Sequence, residues 1–401
     1  MIIKPMVRNN ICINSHPAGC AAVVMRQIEY AKKHLAKEEG VPRLVLVVGC
    51  STGYGLSSRI AAAFGYGAAT VGVSLEKPAS QSKPGTPGFY NNLAFDREAH
   101  RLGLASITID GDAFSDAGKD QALQAIQKAA KDAGIPPRAD LVVYSLASPV
   151  RTDPKTGILY RSAIKPIGQS FSGRTVDMMS GNIFTASAEP ASDEEIASTV
   201  KVMGGEDWEL WMNALAKEGV LAPNARTIAY TYIGPEFSWP IYKKGTIGKA
   251  KEDLERAARE INKKQINAWV SVNKALVTRA SAVIPVIPFY VSCLYKVMKE
   301  KGIHEGCIEQ IVRLYKDRLY YASAHNEPGK TPVDSEGRIR IDDLEMRDDV
   351  QKETAARMEK ANQETLASLA DLAGFKQDFM EAHGFDVEGI DYEADVDLLG
   401  N

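Results

Sequence analysis

Between residues 229 and 251 the chain sets phenols and amines close together: Tyr230, Tyr232, Tyr242, Lys243, Lys244, Lys249 and Lys251. A tyrosine hydroxyl can donate to an oxygen that gains negative charge during a reaction, as a carbonyl does when hydride reaches the double bond beside it. A nearby lysine would favour the developing phenolate and could also hold ribose hydroxyls. Geometry leaves open which lysine serves Tyr242. Seven positions put Lys249 on the same helical face, and nine put Lys251 on the opposite one. Gly245 and Gly248 weaken a helix there, however, and Thr246 is a good N-cap, so Tyr242 is expected to precede the helix and escape the face rule.

A second segment suits a phosphate. An apolar run ending at Val48 passes into Gly49, Cys50, Ser51, Thr52, Gly53, Tyr54 and Gly55 before a helical pattern begins. Such a strand-to-helix turn lets a pyrophosphate approach the main chain and aims a helix N-terminus at it. Glu76 follows the next strand, where a carboxylate accepts from both adenosine ribose hydroxyls and repels a 2'-phosphate, which favours NADH over NADPH. Asp112 after the third strand and Leu146 and Ala147 after the fourth occupy further carboxyl ends, where ligands of such sheets bind.

These residues need a frame, and the sequence supplies one. From about residue 43, short β-branched runs alternate with amphipathic segments, the signal for a doubly wound parallel α/β sheet. Strands are expected at Leu44 to Val48, Thr70 to Leu75, Ser106 to Ile109, Leu141 to Ser145, Thr227 to Tyr232 and Ala268 to Val272. Helices are expected at Leu56 to Phe64, Asp116 to Ala133, Asp193 to Val202, Trp208 to Lys217 and Lys249 to Asn262. Residues 151–192, rich in Pro, Gly, Ser and Thr, read as an inserted set of hairpins or loops beside the substrate. Residues 318–401 read as a polar appendage, with a turn at Asn326 to Lys330. With every strand candidate before residue 275, one enlarged Rossmann-type domain over 1–401 is expected.

Composition narrows the class. Forty-eight Lys plus Arg against 51 Asp plus Glu gives a net charge of -3 and no electrostatic reason for nucleic-acid binding. Five cysteines without a CxxC pair suggest neither a disulfide framework nor a zinc site, and a reducing cytoplasm is expected. Met1 to Cys20 lacks the apolar core of a secretory signal. Val283 to Met298 is apolar but carries Pro285, Pro288 and Lys296 and falls short of a spanning helix, so it reads as interior or the wall of a greasy pocket.

Longer matches then carry a resemblance over essentially the whole chain. They include the opening Met1 to Pro5 with His16 and Pro17, the loop Gly49 to Gly55, and the segments Gly111 to Ser115, Tyr144 to Pro149, Val202 to Trp208 and His304 to Gln310. The sequence resembles the bacterial trans-2-enoyl-CoA reductases and FabV-type enoyl-ACP reductases. The resemblance implies an enlarged short-chain-reductase-like monomer that uses NADH to saturate the 2,3 double bond of an enoyl-CoA or enoyl-ACP. It implies a Tyr-x8-Lys pair, Tyr242 and Lys251, with Lys251 also on the cofactor and Tyr232 on the substrate. It further implies cofactor contacts at Gly49 to Tyr54, Leu75, Glu76, Asp112, Ala113, Leu146 and Ala147, with Leu276, Val277 and Thr278 beside the nicotinamide and Val283 to Val291 along the acyl chain. A short-chain carbonyl reductase or alcohol dehydrogenase would need tyrosine and lysine one helical turn apart, but Thr246 stands four residues after Tyr242. A non-enzymatic NADH sensor would need no tyrosine at the nicotinamide.

Overall fold

Leu44–Val48 is buried at all five positions, so this strand must be covered on both faces, which parallel sheets with helices on either side provide. The computed structural model describes residues 1–8, 11–146, 148–178, 180–277, 284, 286–320 and 331–399. Along the chain come β1 (Val7–Arg8), β2 (Ile11–Cys12), α1 (Pro17–His34), β3 (Leu44–Val48), α2 (Gly53–Ile60), β4 (Ala69–Ser74), α3 (Pro87–Arg101), β5 (Ser106–Asp110), α4 (Asp116–Ala133) and β6 (Ala139–Tyr144). The inserted region holds β7 (Val150–Thr152), β8 (Leu159–Arg161), β9 (Phe171–Val176) and β10 (Ile183–Ala188), two antiparallel hairpins. Then follow α5 (Asp193–Met203), α6 (Glu206–Lys217), β11 (Leu221–Thr231), α7 (Thr246–Asn262), β12 (Asn267–Val272), α8 (Ile287–Glu300) and α9 (Cys307–Leu314). The last elements are β13 (Ile339–Arg340), α10 (Asp348–Lys360), α11 (Leu366–Leu369) and α12 (Leu372–Glu381).

Seven strands form one parallel sheet in the order β13-β12-β11-β6-β3-β4-β5. The chain winds outward from β3 through β4 to β5, returns to the other side of β3 as β6, and winds outward again. The reversal between β3 and β6 opens a crevice at their carboxyl ends, where ligands of this architecture bind. One face of the sheet is covered by α1, α2, α3 and α9 and the other by α4, α6 and α7. Beyond the carboxyl edge, α8 packs with Val350 of α10 and with Phe375 and Phe379 of α12 around Tyr290, Leu294 and Tyr295. The described part of the apolar Val283 to Met298 stretch is thus interior helix. Among the described residues no helix is long and apolar enough to cross a membrane.

The sequence expectation fails in two places. β13 pairs with β12 (Ser271 opposite Ile339), so strand content does not end before residue 275. A two-residue strand is too short to carry a periodic signature. Thr246 is not the cap of α7 but its first helical residue, with Gly245 at the cap. Its hydroxyl is spent on the insertion instead, donating to the Ala163 carbonyl and accepting from Lys165 N–H at 3.1 Å. The expected turn at Asn326 to Lys330 lies outside the described residues.

Buried charges brace the helices on both faces of the sheet. Arg59 of α2, wholly buried, stacks on Phe95 and donates to Thr70, Thr108, Ser106 and Asp96 beneath β4 and β5. Lys119 of α4 meets Asp207 of α6 at 2.9 Å, both inaccessible, and Tyr144 donates to the other Asp207 oxygen at 3.1 Å. Lys119→Met would leave Asp207 buried beside one hydroxyl, so a loss of about 3–5 kcal/mol in urea unfolding is expected. A loss under about 1 kcal/mol would show that Asp207 is satisfied without the lysine.

Candidate active site

Gly49 takes φ +88°, and a Cβ there would stand 2.4 Å from the Ser145 carbonyl oxygen, so only glycine lets β3 and β6 end this close. Gly53, at φ +54°, opens α2, and a Cβ on it would meet nothing within 4 Å. The Thr52 side chain makes no capping bond, so it does not occupy the first N–H groups of α2, and a helix start left uncapped in this way suits a pyrophosphate. Not every residue of this loop turns its side chain outward. Cys50 is fully buried near Arg59, and the Tyr54 hydroxyl lies 3.1 Å from the Lys274 carbonyl and 3.2 Å from Gln310 Oε1. Any contact these two make with a cofactor would be through the backbone.

Glu76 is half-buried past the end of β4. Ser51 Oγ donates to its Oε1 at 2.5 Å and Thr86 Oγ1 to its Oε2, while its own N–H donates to Asp110 Oδ1 at 2.9 Å. The carboxylate is held at the carboxyl ends of β3 and β4 with acceptor capacity to spare, as an adenosine ribose requires. Leu75 beside it is 70% exposed. Asp112 is exposed and its Oδ1 accepts from Phe114 N–H, whereas Ala113 is buried with its carbonyl taken by Trp211 and Lys119. Leu146 is half-buried just beyond β6. Ala147 and Thr278 lie outside the described residues.

The phenols and amines gather at the carboxyl end of β11. Tyr242 sits in the turns ahead of α7, its N–H bonded to the Ser238 carbonyl at 3.0 Å. Its ring meets Tyr232 edge to face, centroids 5.0 Å apart. Burial pushes its hydroxyl well above the usual phenol range. Lys251 Nζ reaches the Tyr230 carbonyl at 3.2 Å, two residues before Tyr232, and burial brings its pKa down to about 8. Lys249, favoured by the face rule, is exposed and pairs with Glu252 at 2.8 Å. Leu276 is buried and Val277 N–H donates to Tyr295 at 3.2 Å; both pack into the α8 cluster with Tyr54, Tyr232 and Tyr242.

Hydroxyl accounting separates these tyrosines. Tyr230 bonds Ser58 at 2.6 Å, and Tyr232 and Tyr290 donate to Glu345 Oε1 at 3.0 and 2.7 Å. With Tyr54 also engaged, Tyr242 alone of the five has no hydrogen-bond partner among the described residues. Sequence reasoning gave no role to Glu345 or Lys274, and reached Tyr290 and Gln310 only as members of the Val283 to Val291 and His304 to Gln310 segments. Glu345 meets Tyr232 across 113 positions, a separation that leaves no local signal. Lys274 is buried, donates to the Ala275 carbonyl at 3.0 Å, and is brought by burial to about 8.

Comparison with known proteins follows the same lines. A family model described as the NAD(P)H binding domain of trans-2-enoyl-CoA reductase matches residues 2–81, and one described as the trans-2-enoyl-CoA reductase catalytic region matches 83–320. The chain is 60% identical over 403 residues to the trans-2-enoyl-CoA reductase [NADH] of Treponema denticola, covering 99% of both. It is 53% identical to the enoyl-[acyl-carrier-protein] reductase [NADH] of Flavobacterium johnsoniae, covering 100% of this chain and 99% of the relative. The crystal structure of the Treponema enzyme in complex with NAD superposes with a TM-score of 0.93 over 99% of this chain and 98% of that one. A Clostridium acetobutulicum trans-2-enoyl-CoA reductase in complex with NADH, 44% identical, gives 0.92 over the same shares.

A third family model, described as an enoyl reductase FAD binding domain, matches residues 333–396. The residues there do not fit a flavin. The segment contributes one two-residue strand and three helices, and its Phe375, Phe379, Met380 and Phe385 fill the α8 core. Among the described residues it has no glycine turn from strand to helix to receive a pyrophosphate. From the nucleotide cradle to the tyrosine cluster, and along its whole length, the chain belongs to the trans-2-enoyl-CoA reductase family.

Proposed function

We propose that this protein is an NADH-dependent oxidoreductase that reduces the 2,3 double bond of trans-2-enoyl thioesters, with coenzyme A or acyl carrier protein as the carrier. The observation that carries this reading is the Tyr242 hydroxyl, without a hydrogen-bond partner among the described residues and set beside Tyr232 at the carboxyl edge of a nucleotide-binding sheet. The backbone of Gly49 to Tyr54 would hold the pyrophosphate, Glu76 with Leu75, Asp112, Ala113, Leu146 and Ala147 the adenosine half, and Lys251, Leu276, Val277 and Thr278 the nicotinamide half. When bound, NADH supplies the hydride for the β-carbon. Tyr242, which packs against the apolar α8 cluster, donates to the thioester oxygen as it gains charge. The Lys251 ammonium, whose one hydrogen bond among the described residues goes to the Tyr230 carbonyl, lowers the energy of that developing charge. Glu76 selects against a 2'-phosphate. We read residues 1–401 as one enlarged domain working as a cytoplasmic monomer, with 151–192 flanking the substrate and 318–401 appended.

Consumption of NADH with crotonyl-CoA and with an enoyl-carrier-protein substrate tests the reading directly. Tyr242→Phe should bind NADH normally and lose about 100-fold or more in kcat; near-normal turnover would remove Tyr242 from the chemistry. Lys251 is an ammonium below pH about 8 and neutral above it. Consequently kcat/KM should fall as pH rises past that value, a limb that Lys251→Ala abolishes and Lys249→Ala keeps. If Lys249→Ala alone collapses turnover, the lysine is misassigned. Glu76→Ala should raise the KM for NADH about tenfold or more and narrow the margin over NADPH. An unchanged cofactor ratio would place ribose recognition elsewhere.

A further inference from the structure

Glu345 is fully buried and lies in the segment matched to a flavin domain, yet it reaches the tyrosine cluster. Three donors converge on its carboxylate: Tyr232 at 3.0 Å and Tyr290 at 2.7 Å on Oε1, and Ala275 N–H at 2.6 Å on Oε2. The direction of these bonds is fixed by their surroundings. Ala275 N–H can only donate. Gln351 Nε2 faces the Glu345 carbonyl at 2.8 Å, which can only accept, so the same nitrogen donates to Tyr290 Oη at 3.0 Å and Tyr290 must send its own proton to Glu345. Tyr232 shares that acceptor oxygen.

We propose that Glu345 is a positioning residue that claims the hydroxyl protons of Tyr232 and Tyr290, leaving Tyr242, the one phenol of the three without a partner among the described residues, to donate to the thioester oxygen. The assignment rests on the role given to Tyr242 above. It gives residues 333–396 a task in the reaction that needs no flavin: through Glu345 they decide which of two touching phenols is the proton donor. The Ala275 bond ties the same carboxylate to the Leu276–Val277 segment, so donor choice and the floor of the site are set by one side chain.

Glutamine at this position separates the possibilities. An amide must keep its oxygen on Ala275 N–H and turn its NH2 toward the two phenols, whose protons are then free to turn to another acceptor. With crotonyl-CoA and NADH, Tyr242→Phe is expected to lose about 100-fold in kcat, and adding Glu345→Gln should restore about tenfold of it. Adding Tyr232→Phe to that pair should remove the gain. A Tyr242→Phe/Glu345→Gln protein that binds NADH but is no faster than Tyr242→Phe would overturn the proposal. Should the glutamine variants fail to fold, Tyr232→Phe alone leaves Glu345 in place. With its proton already committed, loss of that hydroxyl should raise the KM for crotonyl-CoA more than it lowers kcat, and a kcat loss as large as that of Tyr242→Phe overturns the assignment. Failure of the underlying reading looks different: Tyr242→Phe itself then turns over at nearly the native rate, and the role of Glu345 falls with it.

Discussion

Because all seven strands run parallel, every strand-to-helix connection leaves the sheet at the same edge, and the winding reversal between β3 and β6 parts two of those connections into a crevice. Residues hundreds of positions apart thereby face one volume. The glycine loop after β3, Glu76 after β4, Asp112 after β5, Leu146 after β6, Tyr232 after β11 and Leu276 after β12 are all products of this single constraint. Gly49 marks how tightly it is drawn, since the main chains at the two central strand ends leave no room for a methyl group.

Within that volume, burial does much of the chemical tuning. It raises the Tyr242 phenol and lowers Lys251 and Lys274 to about 8, so removing water disfavours the charged form of every group it touches. Hydrogen bonds then distinguish groups that burial treats alike. Tyr54, Tyr230, Tyr232 and Tyr290 each meet a partner within the protein, and Tyr242 meets none among the described residues. Glu345 itself is raised by burial, an effect that the neighbouring Lys274 ammonium offsets only in part.

The frame was legible because its signals are local. β3 and α4 match their expected bounds, the latter because Ser115 caps its start and Gly134 its end in the left-handed conformation. The Gly49 loop and Glu76 could be read from their place at the ends of buried apolar runs. What escaped depends on distant partners. α1 and α3 carry Pro17 and Pro87 in their first turns, but the strand-and-helix rhythm that begins near residue 43 does not announce them. Thr246 reads as a cap until its hydroxyl is found on Ala163, 83 positions away. The choice between Lys249 and Lys251 could not be made from helical faces, because Tyr242 stands before the helix that carries both. Glu345 looked like one acid among many in a polar tail.

The shortest strand has a consequence for synthesis. Until Ile339 and Arg340 emerge from the ribosome, the outer rim of β12 shows a row of unpaired amides and carbonyls, an open template for another nascent chain. Two residues cover only its last third, at Ser271 and Val272. That pairing closes the end of the rim nearest the site and leaves Asn267 to Val270 without a strand neighbour on that side among the described residues.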